Sequence, residues 1–281
     1  MAIQPKLTPS ERPGYDWQIE APAKINRFLH VLGRRPDGYH NLQTGFQFLS
    51  WGDRLHLNID APWEVSGLDS VPDSENLVYR AGMALANFAD IAPQGQLHIE
   101  KRIPAGAGLG GGSSDAASAL LMLRTLWKLE MSDLDLARIG QQLGADVPIF
   151  IHGKSAIGTG IGEQLESIEW PCGEIELFLP QAHVSTRDIF TDKWLTRDSQ
   201  AINMRAALAG QGHNDCEAVC RKHFPTIDRL FDCLAQWQPK LSGSGGTVFV
   251  LHTQVPQLLN LPNGVKRQRV HTTNLSSAVT S

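Results

Sequence analysis

The residues Pro104-Ala105-Gly106-Ala107-Gly108-Leu109-Gly110-Gly111-Gly112-Ser113-Ser114 carry five glycines within seven positions. Glycine loses more conformational freedom on folding than any other residue, so this density is unfavourable in a helix or strand and marks a loop that something approaches closely. The preceding stretch, Gln96 through Ile103, sets apolar Leu97, Ile99 and Ile103 among polar residues with the alternation of a half-buried strand. Asp115 through Leu126 follows, rich in Ala and Leu and free of Gly and Pro, and Ser113 or Ser114 stands where a helix cap is expected. In a strand, glycine loop and helix start, unpaired N–H groups converge on one spot and the helix dipole favours an anion there. The stretch therefore reads as a phosphate cradle.

Other glycine motifs fit less well. Gly106, Gly108 and Gly111 satisfy G-x-G-x-x-G, and Glu130 stands near the place of a ribose-binding acid. A dinucleotide fold, however, runs a buried apolar strand straight into its first glycine, whereas Glu100, Lys101, Arg102 and Pro104 intervene here. Gly153-Lys154-Ser155 imitates the end of a P-loop, but Pro148 occupies the position of that motif's first glycine. A flexible linker is not flanked at once by a strand and a helix start.

Bulk properties bound the class without choosing a reaction. The chain has 281 residues, 42% of them hydrophobic, enough to bury a sizeable core in one large or two modest domains. A net charge of −4 gives no general attraction to nucleic acid or anionic membrane. No apolar run approaches the roughly 20 residues of a membrane helix, and the first twenty residues lack the apolar stretch of a secretory signal. Four cysteines are too few for a disulfide scaffold and fit a reducing cytoplasm.

Element order indicates a mixed α+β chain. Residues 24–31 and 54–59 read as strands around an Asp37-Gly38 turn, and helices are expected over 75–89, after the glycine loop, and over 132–143. Residues 147–160 and 175–179 read as strands with glycine breaks. The glycines at 158–162 and the Trp170-Pro171-Cys172-Gly173 turn are candidate points of division. In an extended Ala23-Lys24-Ile25-Asn26, alternation puts Lys24 and Asn26 on one face. Asp146 lies between Ala145 and Val147-Pro148, an apolar setting where an acid needs a partner. On residues alone, Lys24 equally suits a solvated strand edge, Asp146 a cap or turn, and Tyr39 ordinary cross-strand packing. His213, Cys216, Cys220 and His223 invite a zinc reading, but helical spacing spreads them over a row too long for one tetrahedral ion. Ser242-Gly243-Ser244-Gly245-Gly246 reads as a second phosphate-facing loop.

Pro-x-Gly-x-Gly-Leu-Gly followed by Gly-Gly-Ser-Ser resembles the nucleotide loop of the GHMP small-molecule kinases, and Pro22-Ala23-Lys24-Ile25-Asn26, Asp37-Gly38-Tyr39-His40, Gly144-Ala145-Asp146-Val147-Pro148 and Asn214-Asp215 recur in matching order. The resemblance runs from about residue 20 to about 275. It implies two domains, a ribosomal-S5-like unit over 1–165 and a ferredoxin-like unit over 166–281, with the active site between them. It further implies an ATP-dependent kinase whose cradle is residues 104–114. Mg²⁺ would arrive with the nucleotide and be held by phosphates and Ser113 or Ser114, without a dedicated metal site. Asp146 is implied as the base and Lys24 as its charge partner. Asn26, Tyr39, His40 and Phe190 are implied at the substrate, with cytosine stacked between Tyr39 and Phe190 and read by His40. Within the superfamily the motifs favour the member acting on a cytidine-diphosphate-linked branched tetritol in the non-mevalonate route to isoprenoid precursors. A mevalonate- or homoserine-type kinase and a non-catalytic nucleotide sensor are the alternatives.

Overall fold

The computed structural model describes residues 3–251, 255 and 260–280. It opens with a short strand β1 (Thr8–Pro9), then two long antiparallel strands, β2 (Trp17–Arg34) and β3 (His40–Pro62), joined by a tight connection in which Gly38 has a φ of 88°. Strand β4 (Glu64–Ser66), helix α1 (Leu77–Ala89) and strand β5 (Gln94–Glu100) follow, then the glycine loop, α2 (Gly111–Leu126), α3 (Asp133–Leu143) and α4 (Val147–His152). Strands β6 (Ala156–Gly160) and β7 (Gln164–Ser167) form a hairpin on β3. The remaining elements are β8 (Glu174–Pro180), α5 (Thr186–Thr191), α6 (Met204–Leu208), α7 (Glu217–His223), α8 (Pro225–Leu234), β9 (Lys240–Leu241), β10 (Val248–Val250) and β11 (Val265–Thr273).

Helices α1 to α4 cover the sheet of β2, β3 and β5. In α1 the Asn76 side chain accepts N–H bonds from Val78 and Tyr79, and Val78, Ala81, Gly82, Leu85 and Ala86 form the buried stripe. Helix α2 is buried continuously from Ser114 to Arg124, because its small residues let neighbours close on all sides. A second core lies under the antiparallel sheet β11-β8-β10-β9, where α8 contributes Ile227, Leu230, Phe231 and Leu234 at helical spacing. Strand β11 joins the two sheets, pairing with β8 along most of its length and with β3 through Thr272 and Thr273. Beyond it, Ala278 is buried against the first core and Val279 bridges to Pro5. Among the described residues no helix is long and apolar enough to cross a bilayer.

Two local expectations are corrected. Residues 147–152, expected as strand, are helix α4. A short apolar run carries no periodicity that separates a buried strand from a buried helix, and here Pro148 sits in the first helical turn while Val147, Pro148, Ile149, Phe150 and Ile151 are all buried. Neither Ser113 nor Ser114 caps α2. Gly110, at a φ of 73°, is the cap residue and makes no side-chain bond, while both serines lie inside the first turns.

The start of the glycine loop is anchored by a buried acid. Asp53, in the middle of β3 and without solvent exposure, accepts N–H bonds from Arg102 and Ile103 and the ammonium of Lys101. Removing a carboxylate that satisfies buried donors leaves them unpaired. Asp53→Ala is expected to lower unfolding free energy by about 3 kcal/mol, read from the urea midpoint; a loss below about 1 kcal/mol would show that the anchor is dispensable.

Candidate active site

Lys24 lies between two register shifts in the β2–β3 ladder, one between Pro22 and Lys24 and one between Asn26 and Phe28. Bulges of this kind re-aim side chains. Lys24 and Asn26 share a face, as alternation implies, and the Lys24 ammonium donates to Asn26 Oδ1 at 2.6 Å. It also donates to the Gly108 carbonyl at 3.1 Å and lies 3.2 Å from Asp146 Oδ2. The Lys24 side chain is 3% exposed and that of Asp146 35%, so a buried cation is held against a carboxylate that still meets solvent. Asp146 is the cap residue of α4 but makes no side-chain cap bond, which leaves its oxygens to the cavity.

The polar chain continues outward. Asn26 donates through Nδ2 to Thr44 Oγ1 at 2.8 Å, and Thr44 donates to the Phe28 carbonyl at 2.7 Å. Every donor in this series has an acceptor, which fixes the Asn26 carboxamide with its oxygen toward Lys24.

A cavity of about 500 Å³ is lined by Lys24, Asn26, Asp146, residues 104–113 and the late-loop residues Gly243 and Ser244. Gly106, Gly108 and Gly110 have φ of 69°, 76° and 73°, the left-handed backbone that an L side chain rarely adopts. The late loop abuts the first: a Cβ on Gly108 would collide with the Ser242 carbonyl, and Ser242 Oγ donates to the Gly108 carbonyl at 2.9 Å. Ser113 lines the cavity, whereas Ser114 is fully buried and donates to the Pro22 carbonyl at 2.7 Å.

A second cavity of about 750 Å³ is lined by Tyr39 and His40 and shares Leu42, Ala145, Ile161, Thr186 and Phe190 with the first. The His40 and Phe190 rings lie 5.5 Å apart, while Tyr39 is 61% exposed. The two cavities form one continuous cleft that holds all the expected site residues except Ser114.

Four groups at the cleft were not anticipated. Thr186 exchanges a hydroxyl bond of 2.8 Å with Ser244 of the late loop; nothing in the sequence separates Thr186 from an ordinary loop residue. Lys101, just past β5, contacts both Asp53 and Asp115. Burial pushes the Asp115 carboxyl up to about 7 against the pull of Lys101, and its Oδ1 has no hydrogen-bond partner among the described residues. Its position after Ser-Ser in a small-residue helix gave no hint of an ionised neighbour. Arg197 reaches His40 from an unpatterned loop. Away from the cleft, His213 pairs with Asp215 and His223 with Asp192. The thiols of Cys216 and Cys220 are buried in the second core, which raises both and pushes Cys220 to about 12.

Residues 76–154 match the family of GHMP kinases N terminal domains. Over 242 residues the chain is 44% identical to the 4-diphosphocytidyl-2-C-methyl-D-erythritol kinase of Marinobacter nauticus, covering 82% of this chain and 84% of that one. The Pseudomonas aeruginosa enzyme of the same name is 44% identical over 236 residues, 82% of this chain and 83% of its own. A crystal structure of 4-(cytidine 5′-diphospho)-2C-methyl-D-erythritol kinase superposes with a TM-score of 0.74 at 30% identity, over 91% of this chain and 98% of that one. The mevalonate kinase of Methanococcus jannaschii shares the fold, with a TM-score of 0.67 at 15% identity over 94% of this chain and all of that one. With 44% identity spread over four fifths of both chains, this protein belongs to the 4-diphosphocytidyl-2-C-methyl-D-erythritol kinase family of GHMP kinases.

Proposed function

We propose that this enzyme transfers the γ-phosphoryl group of ATP to the 2-hydroxyl of 4-diphosphocytidyl-2-C-methyl-D-erythritol, a step toward isoprenoid precursors. The observation that carries the reading is the Lys24–Asp146 pair at 3.2 Å, facing the glycine loop across one cleft with Tyr39, His40 and Phe190 at its far end.

Phosphoryl transfer through a loose transition state asks the protein mainly to position groups and balance charge. The backbone N–H groups of residues 105–113 bind the ATP phosphates. The substrate oxygen attacks the γ-phosphorus as the bond to ADP breaks, and the hydroxyl proton passes to Asp146 late in the reaction. Lys24 holds the Asp146 carboxylate in place, and its Nζ, committed to Asn26, Gly108 and Asp146, exchanges one of these partners for a phosphoryl oxygen. The hydroxyl of Ser113, which lines the cavity, is a hard-oxygen donor that would join the phosphates in holding Mg²⁺ bound with the nucleotide, and the ion would neutralise developing phosphate charge. Cytosine stacks on Tyr39 and Phe190 beside His40. The chain divides into two catalytic halves near residues 166–173, works in the cytoplasm and requires neither nucleic acid nor membrane.

The deciding experiment is a substrate panel with ATP comparing the cytidylyl-linked methylerythritol with mevalonate, homoserine and galactose. Turnover of the first alone is expected; turnover only of one of the others would overturn the substrate and keep the kinase.

Asp146→Asn, nearly isosteric but a poor proton acceptor, is expected to lower kcat by about 10²–10⁴-fold with ATP affinity preserved. Lys24→Ala should be damaging but less than additive with it, since the two side chains act as one unit; full additivity in the double variant would separate them.

Gly110→Val combines a φ of 73° with a Cβ placed 2.8 Å from the Phe150 ring and 3.1 Å from Lys24 Cε. Loss of ATP binding in calorimetry is expected, with the circular dichroism spectrum retained. A folded variant with normal affinity would move the cradle elsewhere.

Tyr39→Ala is expected to weaken substrate binding by about 1–3 kcal/mol and Tyr39→Phe by much less, because the ring face carries a stacking interaction. Equal losses in both, or a matching loss of ATP affinity, would remove Tyr39 from the base site.

A further inference from the structure

We propose that Arg197 is a positioning residue that sets base specificity: its guanidinium locks Phe190 in place and holds His40 as the Nδ1–H tautomer, so that the base edge meets a hydrogen-bond donor. This rests on the reading of Tyr39, His40 and Phe190 as the base site.

Arg197 lies in the loop beyond α5 and is used almost completely. Its Nη2 donates to the carbonyls of Phe190 at 3.0 Å and Asp192 at 2.8 Å, and its Nη1 to that of Leu195 at 3.0 Å. Phe190 is in the last turn of α5 and Asp192 is its C-terminal cap residue, so these acceptors include carbonyls that a helix end leaves without intrahelical partners. A single planar fork thereby fixes the backbone that carries the Phe190 ring. Lysine, a point donor on a flexible stem, cannot span the same set.

The remaining bond points across the cleft. Arg197 Nε donates to His40 Nε2 at 3.2 Å. A guanidinium has no lone pair to offer, so His40 Nε2 must be the bare, accepting nitrogen and the ring proton must sit on Nδ1. Nδ1 has no hydrogen-bond partner among the described residues, and His40 lines the larger cavity. Burial, followed by the charges of Arg197 and Arg34, pulls the imidazole pKa down, in keeping with a neutral ring. The group presented to a ligand is therefore an N–H. Cytosine offers bare acceptors at N3 and O2. Uracil carries a proton on N3, and two facing donors leave both unpaired.

The direct test is ¹⁵N NMR of the free enzyme at neutral pH, with the His40 signals assigned by comparison with His40→Gln. Nδ1 should resonate as a protonated nitrogen and Nε2 as one bearing a lone pair; the reverse assignment would overturn the proposal without any variant at Arg197. Calorimetry with cytidine and uridine 5′-diphosphates then compares the wild type with Arg197→Lys and Arg197→Met. The wild type should prefer the cytidine nucleotide, and the preference should fall by about tenfold in Arg197→Met, with ATP affinity unchanged and KM for the cytidine-linked substrate raised more than kcat is lowered. Arg197→Lys, which keeps a donor but not the fork, should retain part of the preference. If either variant only lowers the melting temperature and leaves the nucleotide preference intact, Arg197 is structural and the proposal fails. Failure of the wild type to phosphorylate the cytidylyl substrate while the Nδ1–H tautomer is seen would instead overturn the proposed function.

Discussion

The Lys24 ammonium is the constraint around which the cleft is organised. A buried cation without partners would lose its charge or unfold the site, and Lys24 finds them in three separate pieces of chain: Asn26 on its own strand, the Gly108 carbonyl of the glycine loop and Asp146 at the start of α4. Its own backbone N–H reaches the Leu109 carbonyl at 3.0 Å. One residue thus holds the strand, the nucleotide loop and the acid in register. Because breaking such an arrangement from one side strands a buried charge, the three segments are interdependent in stability as well as in chemistry.

The glycines transmit that organisation to the other half of the molecule. Gly108 and Gly245 approach so closely that a Cβ on either would meet the other loop's backbone. The contact is sealed by Ser242 Oγ on the Gly108 carbonyl and by Thr247 N–H on that of Ala107. Asn214, on the segment before α7, holds the late loop from behind through the carbonyls of Leu241 and Gly243. The absence of side chains here therefore serves two purposes: open space over the cavity and backbone contact behind it.

Much of this was legible in order of residues. Glycine density, the flanking strand and the helix after it are local features, and strand alternation is enough to put Lys24 beside Asn26. What escaped depends on three-dimensional surroundings. Helix α4 begins with five apolar residues, Val147 to Ile151, all buried, so burial erases the polar face that would reveal its period. The cap of α2 went to Gly110 because the loop needs a left-handed residue there, and Ser114 was drawn instead to the Pro22 carbonyl. Arg197 and Thr186 reach His40 and Ser244 through contacts more than fifty residues distant in sequence, and no local pattern encodes such contacts.

The two ends of the cleft are held by different physics, and this bears on how the enzyme treats its two ligands. On the proposed function, the binding groups at the phosphate end are backbone N–H donors of the glycine loop, which is fixed by close packing and indifferent to which base the nucleotide carries. At the far end they are side chains, with Phe190 and His40 braced by one guanidinium and Tyr39 left exposed on its turn. On the proposed function, selectivity accordingly belongs to the far end, where a single ring nitrogen would tell one pyrimidine from another, while the Lys24–Asp146 pair lines the cavity of the glycine loop. Thr186, which lines both cavities, is bonded to Ser244 of the late loop, so the walls of the two ends are in direct side-chain contact.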